Sequence, residues 1–154
     1  SYAILKNNFD MKTMAKIFAT VVLLITTSSF VAAQNSMVKH INQDEFRTQI
    51  CDFVQSATWQ YKGKRPCIID FYATWCGPCR TISPYLDKLS VKYKDQIDIY
   101  KIDVDKNREL AQAFGATSIP LLIFVPSKGE PQANRGALPE TELENAINKL
   151  LLKK

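Results

Sequence analysis

The 154-residue chain lacks the residues that most metal-binding and haem-binding proteins need. It has a single histidine, His40, and a single Cys-x-x-Cys pair, formed by Cys76 and Cys79. A structural zinc site needs about four nitrogen or sulfur ligands. Covalent haem attachment needs a histidine directly after the second cysteine, where Arg80 stands. The sequence therefore predicts neither a metal ion nor a haem.

Long stretches of positive charge are also missing. The net charge is +5, and Lys62, Lys64 and Arg65 form a small basic patch near Trp59 and Tyr61. So small a patch is better interpreted as a solvated loop than as a nucleic-acid surface. The length suits one domain with a proper core and is too short for two. We therefore expect one globular domain without a nucleic-acid partner.

The chain has no apolar run long enough for a transmembrane helix. Its longest clean run, residues 17–25, is well short of the ~20 residues that a spanning helix needs. A basic segment precedes this run and small residues follow it up to Ala33, which is the three-part pattern of a secretory signal peptide. A membrane anchor and a buried core helix are the alternatives.

These patterns predict three segments. Residues 11–33 are the expected signal peptide, cleaved after Ala33, and residues 34–154 form the expected domain. Residues 1–10 carry no pattern that we can interpret and would be upstream sequence or an expression remnant. We therefore expect the protein to be exported to the periplasm.

One stretch stands out among what is present. Ile68, Ile69, Phe71 and Tyr72 leave no polar face, which is typical of an interior parallel strand. Two cysteines follow, and then a helical stripe of apolar residues. Cysteines at a helix start form thiolates more easily, because unpaired N–H groups and the helix dipole favour negative charge there. Two cysteines at this spacing can also bond to each other, which predicts a redox switch.

This stretch resembles the active site of the thioredoxin family. Residues 75–79, Trp-Cys-Gly-Pro-Cys, match the family's pentapeptide at every position. The other matching positions are Asp70 in the preceding strand, Lys101 on the next strand, Pro84 after the second cysteine, Ile119-Pro120 as a cis pair, and Gly136 past the last hairpin. The match runs in order from about Met37 to the C-terminus.

The resemblance implies an α/β thioredoxin fold, a mixed central sheet with helices on both faces. The residue pattern agrees, since strands alternate with helices before a hairpin and a last helix. Strands are expected at residues 37–41, 97–104, 120–125 and 132–135, besides the central one. Helices are expected after a cap at Asp44, with Phe46, Ile50, Phe53 and Val54 on its apolar face, at residues 108–114, and from Pro139. The loop over residues 55–65 is longer than the family's usual connection.

The resemblance also implies roles for four residues. Cys76, the more exposed cysteine in the family, would attack a target disulfide and form a mixed disulfide. Cys79, expected to be buried, would then attack Cys76 and release the reduced target. Asp70 would accept the proton of Cys79, with a pKa raised by burial, and Lys101 would point toward Asp70. The alternative for Asp70 is a purely structural role in a buried pair. The alternative for Lys101 is a side chain that extends its charged end into water.

A substrate surface is implied around the sulfurs. In the family, the residue before the cis-proline pairs with an extended substrate backbone by strand addition. The implied substrate-binding residues are Trp75, Gly77, Pro78, Ile119, Pro120 and Gly136. Core packing is the alternative for Trp75. Tyr72 stands where bacterial members often carry tryptophan, which leaves the packing beside Asp70 open.

These inferences together predict a monomeric thiol–disulfide oxidoreductase that reduces protein disulfides. It would need no cofactor besides the Cys76–Cys79 disulfide. Gly77 and Pro78 bring no proton donor or positive charge near Cys76, which favours the reducing direction. Its partners would be disulfide-containing proteins and an electron donor, expected to be a membrane thiol-transfer protein. The alternatives are an oxidant or isomerase of secreted proteins and a non-catalytic peptide-binding chaperone module.

Two further cysteines remain. We interpret Cys51 as a small core residue on a helix and Cys67 as one at the start of the central strand. A disulfide between them is the alternative, because the expected compartment permits it.

Overall fold

The computed structural model describes residues 35–55 and 58–154. The predicted signal peptide at residues 11–33 and the segment before it lie outside the described residues, so both stay predictions. None of the helices in the described part of the chain is both long and apolar enough to span a membrane.

A five-stranded mixed sheet forms the centre of the fold. In chain order, its strands are β1 (Lys39–His40), β2 (Cys67–Tyr72), β3 (Asp98–Asp103), β4 (Leu121–Val125) and β5 (Gln132–Arg135). They lie in the order β1-β3-β2-β4-β5. Strand β2 is central: it runs parallel to β3 and antiparallel to β4. All the expected strands are present, although β1 is much shorter than residues 37–41.

Helices cover both faces of this sheet. They are α1 (Gln43–Gln49), α2 (Gly77–Lys92), α3 (Arg108–Ala113) and α4 (Glu140–Ala146), which continues into a π-helical segment, Ile147–Leu152. Phe46 of α1 and Leu110 of α3 pack on one face, and Leu86 of α2 and Leu143 of α4 pack on the other. The predicted α/β architecture, a mixed sheet with helices on both faces, is confirmed.

The two-sided cover explains why β2 has no polar face. Ile69 and Phe71 point into the core beneath α1 and α3, whereas Ile68 points into the core beneath α2 and α4. Since side chains alternate along a strand, Asp70 lies on the same face as Ile68, the face that carries α2. Burying each of these large apolar side chains contributes roughly 1.5–3 kcal/mol. The strand is therefore fixed in register, and Asp70 is held inside.

Helix α1 differs from the prediction at both ends. Its cap is Asn42, not Asp44: Asn42 Oδ1 accepts a hydrogen bond from Glu45 N at 2.9 Å, and Glu45 Oε2 accepts one from Asn42 N at 2.8 Å. These two bonds form a capping box and leave Asp44 inside the first turn.

The helix also ends earlier than its apolar residues suggest. Asp52 Oδ1 accepts hydrogen bonds from Val54 N at 3.3 Å and Gln55 N at 3.4 Å. A side chain that takes these N–H groups competes with a further helical turn. Val54, expected on the buried face, is therefore 56% exposed, and Cys51 lies beyond the helix end.

Candidate active site

A disulfide joins Cys76 to Cys79 at the start of α2. Cys76 is the residue that caps the helix, and Cys79 lies in its first turn, with the two sulfurs 2.07 Å apart. The backbone N–H of Cys79 points at the Cys76 sulfur, 3.2 Å away. A helix start offers unpaired N–H groups and a positive dipole end, so it stabilises a thiolate at Cys76 once the bond is reduced.

The exposure of the two cysteines differs from the expected contrast. Cys76 is 4% exposed and Cys79 is 2% exposed, so in this oxidised state Cys76 is the more accessible sulfur only by a small margin. The physical reason is packing: Cys76 forms a small cluster with Ala73 and Cys79, against which Ile119 packs. The exposed residues are the neighbours Trp75, Gly77 and Pro78.

The loop before β4 meets the sulfurs from the opposite side. The Ile119-Pro120 peptide bond is cis, and the carbonyl oxygen of Ile119 lies 3.8 Å from Cys76 Sγ. Gly136 N donates a hydrogen bond of 2.8 Å to Pro120 O. Gly136 has φ +95°, a backbone conformation that side-chain-bearing residues rarely adopt. The structure thus brings these three predicted residues together, with Ile119 directly beside Cys76.

Trp75 does not pack in the core. Its side chain is 65% exposed beside the disulfide, which excludes the alternative that Trp75 serves as a core residue. Its ring N–H donates a hydrogen bond of 2.8 Å to Asp105 Oδ2. Asp105 was missed from the sequence, because nothing local indicates that the turn after β3 reaches the turn after β2.

Asp70 and Lys101 form a buried ion pair. They are direct neighbours in the register of β2 and β3, with Lys101 Nζ 3.1 Å from Asp70 Oδ2. The Asp70 side chain is 0% exposed and that of Lys101 is 5% exposed, so the lysine does not reach into water. Burial raises the pKa of Asp70, and the charge of Lys101 opposes that rise only in part. The pKa of Asp70 is therefore raised, in the direction that the sequence analysis expected.

Other side chains hold the lysine from the far side. Lys101 Nζ donates a hydrogen bond of 2.9 Å to Ser83 Oγ and lies 4.6 Å from the centre of the Tyr72 ring. The hydroxyl of Tyr72 is 3.2 Å from His40 Nδ1. The sequence left open how Tyr72 packs beside Asp70. In the structure, the ring of Tyr72 covers the Lys101 ammonium and its hydroxyl contacts His40 of β1.

A cavity of about 130 Å³ lies beside this group and beside Cys79. The residues lining it are His40, Tyr72, Ala73, Thr74, Cys79, Arg80, Ser83 and Lys101. Ser83 was missed from the sequence, although its spacing of four residues from Cys79 places both on one helix face. No cluster of metal-ligating side chains occurs anywhere in residues 35–55 and 58–154.

Cys51 and Cys67 are free thiols in the structure, and both are buried in the core beneath α1. Burial raises the pKa of Cys67 to about 12. A thiol with so high a pKa is almost never a thiolate near neutral pH, so Cys67 is a poor nucleophile. Cys51 is likewise only 2% exposed, so both thiols are shielded from reagents in solution.

Comparisons with known proteins agree with this geometry. The family model described as Thioredoxin matches residues 37–149. A thioredoxin of Borreliella burgdorferi is 41% identical over 111 residues, covering 72% of this chain and 95% of that protein. A thioredoxin of Haemophilus influenzae is 35% identical over 113 residues, covering 73% and 96%. A solved structure of chloroplastic thioredoxin z has a TM-score of 0.63 at 23% identity, covers 73% of this chain and 92% of that one, and so shows likeness of fold.

Proposed function

Since this chain belongs to the thioredoxin family of protein-disulfide reductases, we propose that Cys76 and Cys79 carry its reductase activity with distinct roles. The observation that carries the proposal is their disulfide at the start of α2, where the Cys79 N–H points at the Cys76 sulfur. In the reduced protein, the Cys76 thiolate attacks one sulfur of a target disulfide. The other target sulfur leaves with the electron pair of the broken bond and takes up a proton, and a mixed disulfide remains.

The second step uses Cys79 and Asp70. The thiol of Cys79 gives its proton to the Asp70 carboxylate as its sulfur attacks Cys76. A bond between Cys76 and Cys79 forms and the mixed disulfide breaks; the target sulfur leaves with the electron pair of the broken bond and takes up a proton from water, so the target is released with two thiols. Burial raises the pKa of Asp70, which brings this carboxylate closer to the range of a useful base. Lys101 is its partner and keeps the ionised form accessible.

The surface for the target lies around the Cys76 sulfur. Ile119 offers its backbone to an extended segment of the target, which adds as a strand beside the cis-proline. The proposed substrate-binding residues are Trp75, Gly77, Pro78, Ile119, Pro120 and Gly136. The large exposed apolar side chain among them is Trp75, which can contact target segments of many different sequences. Such a surface suits many disulfide-containing proteins.

The activity is tested by insulin reduction with dithiothreitol as the electron source. Wild-type protein should accelerate precipitation of the insulin B chain, and Cys76→Ser should reduce the rate to that of dithiothreitol alone. The matched control is Cys51→Ala, which removes a thiol outside the site and should leave the rate near that of the wild type. Full activity in Cys76→Ser would overturn the assignment.

The site of action is a separate part of the proposal. Its support is the signal-peptide pattern of residues 11–33, which favours export to the periplasm. An exported reductase cannot remain reduced in an oxidising compartment unaided, so the electron donor is proposed to be a membrane thiol-transfer protein. The protein is proposed to act as a monomer.

Export is tested by N-terminal sequencing of the protein recovered from the periplasm of an expressing bacterium. A mature chain that begins at Gln34 supports cleavage after Ala33. A full-length chain found only in the cytoplasm would contradict export and remove the reason for a membrane donor. The direction is tested by equilibration with glutathione, in which a predominantly reduced Cys76–Cys79 pair would indicate an oxidant.

A further inference from the structure

The ammonium group of Lys101 is shared among three neighbours. It lies 3.1 Å from Asp70 Oδ2, donates a hydrogen bond of 2.9 Å to Ser83 Oγ and faces the ring of Tyr72 at 4.6 Å. The side chain of Lys101 is only 5% exposed, so water screens these contacts little. The ammonium carries three N–H donors, so the position of Nζ decides how well each donor is aligned with its neighbour. The position of the ammonium is therefore a compromise among the three.

Ser83 has the best-aligned contact of the three. Its hydroxyl accepts a hydrogen bond from Lys101, whereas neither carboxylate oxygen of Asp70 accepts an aligned hydrogen bond from any residue in the described part of the chain. Asp70 thus receives the Coulomb attraction of Lys101 and only a poorly aligned hydrogen bond from it, which lowers the pKa of Asp70 less than a well-aligned bond would. Hydrogen bonds to the ionised form lower the pKa of a carboxyl group, so the missing alignment favours the protonated form.

We propose that Ser83 is a positioning residue, which holds the Lys101 ammonium away from hydrogen-bond alignment with Asp70 and thereby keeps that carboxylate basic. The inference rests on the proposed role of Asp70 as the base for Cys79. Ser83 lies four residues after Cys79 on α2, so both side chains line the same cavity. The hydrogen bond ties the lysine to the helix that carries the resolving cysteine.

The surroundings allow Ser83 to be tested without changing any charge. The titratable or charged groups that face Asp70 or line the cavity beside it are Lys101 of β3, Tyr72 of β2, Cys79 and Arg80 of α2, and His40 of β1. On the other side, β4 places the apolar Leu122 opposite Asp70. Ser83 does not titrate, and alanine is a good helix former, so Ser83→Ala should fold and should alter only the contacts of Lys101.

The test measures two pH profiles in Ser83→Ala. One is the titration of the Asp70 carboxyl carbon by NMR in the reduced protein, and the other is the rate of target release from the mixed disulfide. Without the serine hydroxyl, Lys101 can turn a hydrogen bond toward Asp70, and both midpoints should fall by roughly one pH unit. Ser83→Thr retains a hydroxyl and should restore the wild-type midpoints. Thr48→Ala removes an exposed hydroxyl from α1 and should change neither.

The two readouts separate this inference from the proposed mechanism. A lower midpoint for the Asp70 signal with an unchanged profile of target release would support the positioning role of Ser83 and contradict Asp70 as the base. An Asp70 midpoint that is unchanged or higher in Ser83→Ala would overturn the inference, whatever the release profile shows.

Discussion

Replacing Asp70 by asparagine should stabilise the protein at neutral and alkaline pH. The side chain of Asp70 is 0% exposed, and burial raises its pKa above the ordinary value of 3.8 despite the lysine 3.1 Å away. A raised pKa means that the folded state binds a proton more tightly than the unfolded state does. Stability that this group contributes in acid is therefore lost as the pH rises from the unfolded value through the folded one. An asparagine at this position does not titrate and would show no such loss.

The size of the gain follows from linkage. Each unit by which the fold raises the pKa of Asp70 corresponds to about 1.4 kcal/mol of free energy of unfolding above the folded pKa. For a domain of this size, each kcal/mol corresponds to a melting temperature change of roughly 3–6 °C. Well below pH 3.8, where Asp70 is protonated in both states, wild type and Asp70→Asn should have nearly equal stability.

The assay is urea unfolding of the oxidised proteins, followed by circular dichroism between about pH 3 and about pH 9, which brackets the fall in stability expected from a raised pKa. The difference between the two free energies of unfolding isolates Asp70, since other groups titrate alike in both. The same change at the exposed Asp95 should give a difference that is nearly independent of pH. A difference for Asp70→Asn that is also flat, or that favours the wild type at high pH, would refute the reasoning.

Three further outcomes are expected. Trp75→Ala should raise the KM for a protein substrate severalfold and leave the unfolding free energy within about 0.5 kcal/mol, because the side chain is 65% exposed; unchanged kinetics would remove Trp75 from the substrate surface. Native, oxidised protein at pH 8 should not react at Cys67 with a thiol reagent, since burial raises the pKa of this thiol to about 12, whereas two thiols should react after denaturation; rapid native labelling would contradict the burial. Asn42→Ala should cost about 1 kcal/mol and Asp44→Ala less than about 0.5 kcal/mol; equal losses would argue against the capping box.

The central part of the fold could be predicted because its sequence signals are strong. Strand β2 is apolar on both faces, and α2 carries a regular stripe at Ile82, Leu86 and Leu89, all buried as expected. Pro84 lies inside α2 without ending it, as expected. The ion pair of Asp70 with Lys101 followed from the family resemblance, and the strand register places them side by side.

The errors arose where short-range chemistry overrides an apolar pattern. The apolar residues after α1 suggested a longer helix, but the side chain of Asp52 accepts the N–H groups that another turn would need. The cap at Asn42 could have been found, since an asparagine followed three residues later by Glu45 is a capping-box signature.

The parts of the site that the sequence did not reveal depend on distant contacts. Ser83 reaches Lys101 across 18 positions, and Tyr72 reaches His40 across 32. Trp75 and Asp105 are 30 positions apart. No local periodicity encodes such pairs, because they depend on the order of strands in the sheet and on the face over which α2 packs.

The most direct test of the central claim is to trap the intermediate of the reaction. Reduced Cys79→Ser should attack a disulfide-bonded protein such as insulin and stop at the mixed disulfide, since no second sulfur is in place to resolve it. Peptide mapping by mass spectrometry then identifies the bonded cysteine. The account predicts a target linked to Cys76 and no adduct with Cys76→Ser. An adduct at Cys51 or Cys67, or none at all with Cys79→Ser, would contradict it.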